Sequence, residues 1–171
     1  GTVVRLFSIL ERFAVRHFDG LITVIPPIVE KFKRINPRIV LVRNFPRIGE
    51  FASSGEPPVS WDERGDAVCY VGGIAPDRGI REMLLAAAIA NRSRPVKILL
   101  GGDPTPGAQK IISSLPPEDI ACAEFFGYVD RPKIAEIFRR SKIGLLLLHP
   151  EKNYLMSYPT KLFEYMSAGL P

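Results

Sequence analysis

The chain has 171 residues, 46% of them hydrophobic, which suits one folded domain or one domain with a piece of another. Its longest apolar run, residues 143–148, is strand-sized and excludes a membrane span, and the opening stretch GTVVRLFSILERF is interrupted by Arg5, Glu11 and Arg12, unlike a secretory signal. The two cysteines, Cys69 and Cys122, are far apart and fit buried thiols better than a disulfide, and His17 and His149 have no ligand-spaced partner, so no metal is expected.

The net charge of +5 is unevenly spread: residues 1–50 carry nine Lys/Arg against four Asp/Glu, and residues 51–171 carry fourteen of each. That asymmetry predicts two different parts. Residues 3–17 place Leu6, Ile9, Leu10, Phe13 and His17 at helical spacing, with Arg5, Arg12 and Arg16 on another face. The bland reading of those arginines is a solvated face; the sharper one is contact with anionic lipid headgroups. Asp19-Gly20 marks a turn, 21–25 reads as a strand, Pro26-Pro27 opens a helix to about Ile35, and 39–42 is another strand. The following stretch to Arg64 is rich in Pro, Gly and Ser and reads as a linker.

From Asp66 the texture changes. Residues 67–71 form an apolar strand leading into Gly72-Gly73, and the next helix puts Ile80, Met83, Leu84, Ala87 and Ala88 on one face. Residues 96–100 form a second strand ending in Gly101-Gly102-Asp103. Thr105 and Pro106 then read as the N-cap and first residue of a helix to about Leu115. Residues 124–126 form a third strand, ending in Gly127-Tyr128-Val129. Asp130 caps a helix with Ile134, Ile137 and Phe138 inward, and 143–148 is a fourth strand ending at His149-Pro150. Apolar strands alternating with helices predict an α/β fold: a Rossmann-like parallel sheet flanked by helices. In such folds ligands bind beyond the carboxyl ends of the strands, and three glycine-bearing strand ends favour a groove there.

The last helix is announced by Pro159 as its first residue and closed by Gly169 and Pro171. The amides of Thr160, Lys161 and Leu162 would point outward at its positive end, with the Lys161 charge added, an anion site suited to phosphate. Glu164, one turn further, is an acceptor suited to ribose hydroxyls. The competing reading is an ordinary surface pair between Lys161 and Glu164, worth about 0.2–0.5 kcal/mol. Gly72-Gly73 followed by Arg78 supplies the other half of the phosphate argument: glycines let the backbone approach an anion, and a guanidinium can fork onto phosphate oxygens. A surface arginine opening a helix is its bland alternative. The dinucleotide glycine fingerprint is absent.

Taken together these residues resemble the family 4 (group 1) glycosyltransferases of GT-B fold, and the pieces run in that family's order. YVGGIAPDRGI is similar to the family's glycine turn with a basic residue before the helix. ILLGGDP is similar to its second strand and turn, FFGYVDRPKIAEIFRRSKIGLLLLHP to the segment from its third to its fourth strand, and YPTKLFEYMSAGLP to its donor-phosphate helix. The stretches RFAVRHFDGLITVIPPIVEKF and IVLVRNF resemble the end of the family's first domain.

The resemblance implies a truncated donor-binding domain over 67–171, a linker over 51–66, and the end of an acceptor domain with its crossover over 1–50. It implies a retaining transferase that moves a sugar from a nucleotide diphosphate to a sugar or lipid-linked acceptor in glycan or polysaccharide biosynthesis. It also implies no cofactor and a cytoplasmic enzyme; the basic first segment fits a peripheral contact with the anionic inner membrane face, and a nucleic-acid partner is not expected because the charge is not laid out with aromatics along a groove. Arg78 and Lys161 would hold the diphosphate and stabilise it as a leaving group. Glu164 would bind the ribose, Tyr128 and Val129 would lie by the base, and Gly72, Gly73, Gly101, Thr160 and Leu162 would complete the donor site. The sequence departs from the family at Gly73, where an arginine is frequent, and at Met156, where a second glutamate is common. With most of the acceptor domain lacking, the piece by itself is expected to be inactive in transfer. Two rivals stand beside this reading: a non-catalytic nucleotide-binding module of the same fold, and a nicotinamide-dependent oxidoreductase.

Overall fold

The structure, a computed structural model, describes all residues except 48, 52–58, 153 and 156. The middle of the expected linker and Met156 therefore lie outside the described residues. The chain divides into two compact units: residues 1–45 with 155–158, and residues 46–154 with 159–171.

In the first unit, helix α1 (Thr2–His17) is followed by strand β1 (Leu21–Thr23), helix α2 (Pro26–Phe32) and strand β2 (Ile39–Leu41). The two strands pair in parallel, Leu21 against Ile39 and Thr23 against Leu41. Buried Asn36 ties these pieces together. Its amide donates to the carbonyls of Val15 (3.0 Å) and Phe18 (2.8 Å), while its oxygen accepts from the Arg38 amide. The apolar stripe of α1 is not a core face within this unit: Leu6, Ile9, Leu10 and Phe13 are exposed, and Val15 is the buried residue of the helix. Periodicity detected the helix but not which side has a neighbour. Among the described residues no helix is long and apolar enough to cross a membrane.

The second unit is a four-stranded parallel sheet in the order β5-β4-β3-β6: β3 (Ala67–Val71), β4 (Lys97–Gly101), β5 (Ala123–Gly127) and β6 (Ile143–Gly144). A 3-10 turn (Pro76–Arg78) and α3 (Ile80–Ser93) connect β3 to β4; α4 (Pro106–Ser114) and the short α5 (Pro117–Ile120) connect β4 to β5. Helix α6 (Arg131–Arg140) connects β5 to β6, and α7 (Thr160–Ser167) follows. The predicted caps form as read, Thr105 Oγ accepting from the Ala108 amide and Asp130 from the Lys133 amide. The buried face of α3 is Ile80, Met83, Leu84, Ala87 and Ala88, packed with Tyr70, Ile98 and Leu100 on one side of the sheet. The other side holds Cys69, Leu99, Ile137, Phe138 and Tyr165. Both cysteines are free thiols.

Two expectations need correction. The fourth strand is two residues long, not six. Its ladder with β3 ends early: the Leu145 amide reaches Cys69, but the Leu145 carbonyl takes the Tyr165 hydroxyl (3.0 Å) instead of a strand. The Tyr165 ring also fills the space where Gly144 lacks a side chain. Phe51, assigned to the linker, is 3% exposed in the core against Phe138. Arg64, also assigned to the linker, is likewise buried and donates to helix ends.

Candidate nucleotide-phosphate site

At the carboxyl edge of the sheet the glycine turns stack on one another. The Gly72 amide donates to the Gly101 carbonyl and the Gly102 amide to the Gly127 carbonyl, each at 2.7 Å. Gly72 and Gly102 have φ of 136° and 138°, which L side chains rarely adopt, and a Cβ on Gly102 would run into the Gly72 carbonyl. Gly101 lies under the Val129 side chain. Tyr128 is largely exposed at the same rim.

Arg78 and Lys161 meet on this edge. The Lys161 amine and its Cε occupy the space where Gly72 lacks a Cβ, and the amine stands 5.0 Å over the ring centroid of Tyr70. A Cβ on Gly73 would lie 3.8 Å from Arg78 Nη1, so the guanidinium covers the neighbouring glycine. Tyr70, buried beneath both cations, donates its hydroxyl to the Gly73 carbonyl at 2.9 Å and so fixes the turn. Tyr154 lies beside Arg78, with its hydroxyl donating to Asp77 at 2.6 Å.

The electrostatics identify what the edge lacks. Burial first, then the Arg78 charge, lower the Lys161 pKa below its ordinary value, while Glu164 pulls the other way. Burial also opposes the Arg78 charge, but interaction with the Tyr70 and Tyr154 hydroxyls outweighs it and raises the Arg78 pKa. Among the described residues neither cation forms an ion pair with a carboxylate. Two partly buried, mutually repelling cations on a glycine turn are chemically suited to an anion with several oxygens.

The surface-pair reading of Lys161 and Glu164 fails, because the two side chains turn to different partners. Glu164 Oε1 accepts from Arg131 Nη1 at 3.0 Å, and Glu164 is only 14% exposed. Helix α7 begins one residue later than expected: Pro159 is its N-cap and Thr160 its first residue. Among the first-turn amides, Leu162 already donates to the Pro159 carbonyl (3.1 Å), so it is not outward-facing as expected. Thr160 and Lys161 keep the leading amides of the helix. Gly169, with φ of 67°, ends it.

Three contributors were missed by sequence reading. Tyr70 is a strand residue whose apolar run gave no reason to single it out. Tyr154 lies in a loop without a motif. Arg131 follows a predicted N-cap, where a cation opposes the helix dipole; that mismatch was the available signal.

A cavity of about 920 Å³ lies at the amino ends of the same strands, lined in part by Ala67, Lys97, Cys122 and Glu136. Its charges largely satisfy one another: Asp66 pairs with Arg94 and Lys142, and Arg140 with Glu124 and Glu136. Volume favours that cavity, but the convergence of two cations with no ion pair among the described residues favours the glycine edge, and charge is the property an anionic ligand reads.

No known family's sequence model matches this chain, and no curated protein sequence matches it. Its fold does match solved structures. HepE of Anabaena in complex with UDP is 17% identical with a TM-score of 0.65, over 92% of this chain and 45% of that one. TarM of S. aureus, in complex with fondaparinux, alpha-GlcNAc-glycerol and UDP, is 13% identical with a TM-score of 0.64, over 94% of this chain and 31% of that one. Sucrose-phosphate synthase of Thermosynechococcus elongatus is 22% identical with a TM-score of 0.59, over 95% of this chain and 42% of that one. The chain thus spans less than half the length of these relatives, and what the likeness establishes is architecture: a parallel sheet flanked by helices, matching GT-B glycosyltransferase domains.

Proposed function

We propose that this chain carries the donor site of a retaining glycosyltransferase of family 4, binding a nucleotide-diphosphate sugar along the glycine edge. One observation carries the reading: Arg78 and Lys161 converge on Gly72-Gly73, and among the described residues neither forms an ion pair with a carboxylate. In this reading they bind the diphosphate, helped by the leading amides of α7. Gly72 and Gly73 allow the phosphates to approach the backbone, and Gly101 lets Val129 pack close behind them. Tyr128 and Val129 border the base. Glu164 accepts hydroxyls of the ribose.

The same groups have a kinetic role. As the bond from the sugar to the diphosphate breaks, negative charge grows on the departing phosphate oxygen. Cations already fixed in place stabilise that charge without reorganising. The charge is met by Arg78, Lys161 and a helix start rather than by a metal ion. In the intact enzyme the sugar would pass to a sugar or lipid-linked acceptor held by another domain, as in glycan or polysaccharide assembly. HepE has been solved with UDP and with UDP-glucose, which makes a uridine diphosphate sugar the first donor to try.

Calorimetric titration of the chain with UDP-, GDP- and ADP-sugars tests this. One of them should bind, and Arg78→Ala should weaken it by about tenfold to a hundredfold, the worth of one charge-assisted hydrogen bond. Equal affinity in the variant would remove Arg78 from the site and the reading with it.

A further inference from the structure

We propose that Arg131 is a positioning residue for Glu164, setting that carboxylate to receive the ribose hydroxyls and thereby making the site prefer ribonucleotides. This rests on the donor-site reading of Glu164 above. Arg131 occupies the first position of α6, where its charge opposes the helix dipole, so the local helix gives no reason for a cation there. Its partners supply one. Nη1 donates to Glu164 Oε1 at 3.0 Å, and Nε lies 3.2 Å from Glu50 Oε1. The guanidinium sits 5.5 Å over the ring centroid of Phe51, itself locked in the core. Glu50 is held in turn, its Oε2 accepting the Arg47 amide at 2.8 Å.

This chain of contacts has a direction. The fixed end is the buried ring and the backbone-bound carboxylate; the free end is Glu164. Arg131 engages one Glu164 oxygen, and among the described residues no side chain donates to the other, which is left as an acceptor for a neighbouring hydroxyl. A glutamate with three side-chain torsions would otherwise have to be ordered when the ligand arrives. Arg131 does not need to touch the ligand to act. It is 57% exposed, so its removal leaves the core intact.

The test is equilibrium binding of the full chain to UDP, GDP and ADP, to their 2′,3′-dideoxy counterparts, and to inorganic pyrophosphate. The unsubstituted chain should bind one ribonucleotide about tenfold more tightly than its dideoxy counterpart, the worth of one good hydrogen bond to a charged group. Arg131→Ala should reduce that preference to about twofold or less while leaving pyrophosphate affinity unchanged. Arg131→Lys should restore part of the preference, and Glu50→Gln should weaken it. Equal losses for ribonucleotide, dideoxynucleotide and pyrophosphate in Arg131→Ala would overturn the inference, because that is the mark of a general structural role. Tighter ribonucleotide binding in Arg131→Ala would overturn it too, marking Arg131 as a block. A chain that binds nucleotides without preferring ribose loses the inference and keeps the phosphate site. A chain that binds neither nucleotide nor pyrophosphate loses the donor-site reading itself.

Discussion

Replacing Arg64 by methionine should destabilise the protein by about 3 kcal/mol, because one buried guanidinium serves the carboxyl ends of two helices. Nη1 donates to the carbonyls of Phe138 (3.0 Å) and Ser141 (3.1 Å) at the end of α6. Nη2 donates to the carbonyl of Ala168 (2.9 Å) at the end of α7. A helix end leaves carbonyls without partners and carries negative partial charge, so a cation there satisfies both needs. The Phe138 carbonyl keeps a second donor in the Ser141 amide. The change therefore leaves two carbonyls, those of Ser141 and Ala168, without their charge-assisted donor and with no second one among the described residues, at about 1.5–3 kcal/mol each, and regains part of that by sparing the burial of a charge. For a chain of this size, about 2–4 °C is lost per kcal/mol, so the thermal midpoint should fall by about 6–12 °C, read by far-ultraviolet circular dichroism. Arg64→Lys should recover less than half, since an ammonium cannot span both helix ends. A fall of under about 2 °C in Arg64→Met would refute the claim that Arg64 joins α6 to α7.

Gly72→Ala should lower donor affinity and destabilise the fold by about 1–3 kcal/mol, because the residue sits at a φ of 136° and its new methyl would displace the Lys161 amine; chemical denaturation and calorimetry read the two effects separately. Lys161→Met should abolish donor binding yet raise the thermal midpoint of the ligand-free protein at neutral pH. Burial and Arg78 lower the folded pKa of Lys161, so its charge costs stability at pH below that folded value. The cost fades as pH rises through the folded pKa and is gone above the unfolded one. The advantage of Lys161→Met should shrink in step, and a pH series of melts checks it. A bound diphosphate shifts Lys161 the other way. Donor affinity should therefore fall as pH rises through the ligand-free pKa of Lys161.

Most of the second unit could be read from residues because its signals are local. The helix face from Ile80 to Ala88 is a matter of spacing, the caps at Thr105 and Asp130 are a matter of side-chain chemistry, and Gly72-Gly73 announces a turn whatever lies around it. The misreadings concern partners distant in sequence. Nothing near Phe51 or Arg64 reveals that each packs against α6, many residues later. The length of β6 is set by Tyr165, which takes the Leu145 carbonyl. For the candidate site, the Arg-before-helix and Pro-Thr-Lys patterns single out the two cations that the structure brings together at Gly72-Gly73. Their shared floor on Tyr70 and the diversion of Glu164 to Arg131 follow from the stacking of β3, α6 and α7, which spacing does not encode.

The most direct test of where the ligand binds is an amide chemical-shift map of the isotopically labelled chain titrated with a nucleoside diphosphate. The account predicts the largest changes at Gly72, Gly73, Thr160 and Lys161, on the glycine edge of the sheet. Changes centred instead on Lys97, Cys122 and Glu136, around the large cavity at the opposite end of the strands, would contradict it.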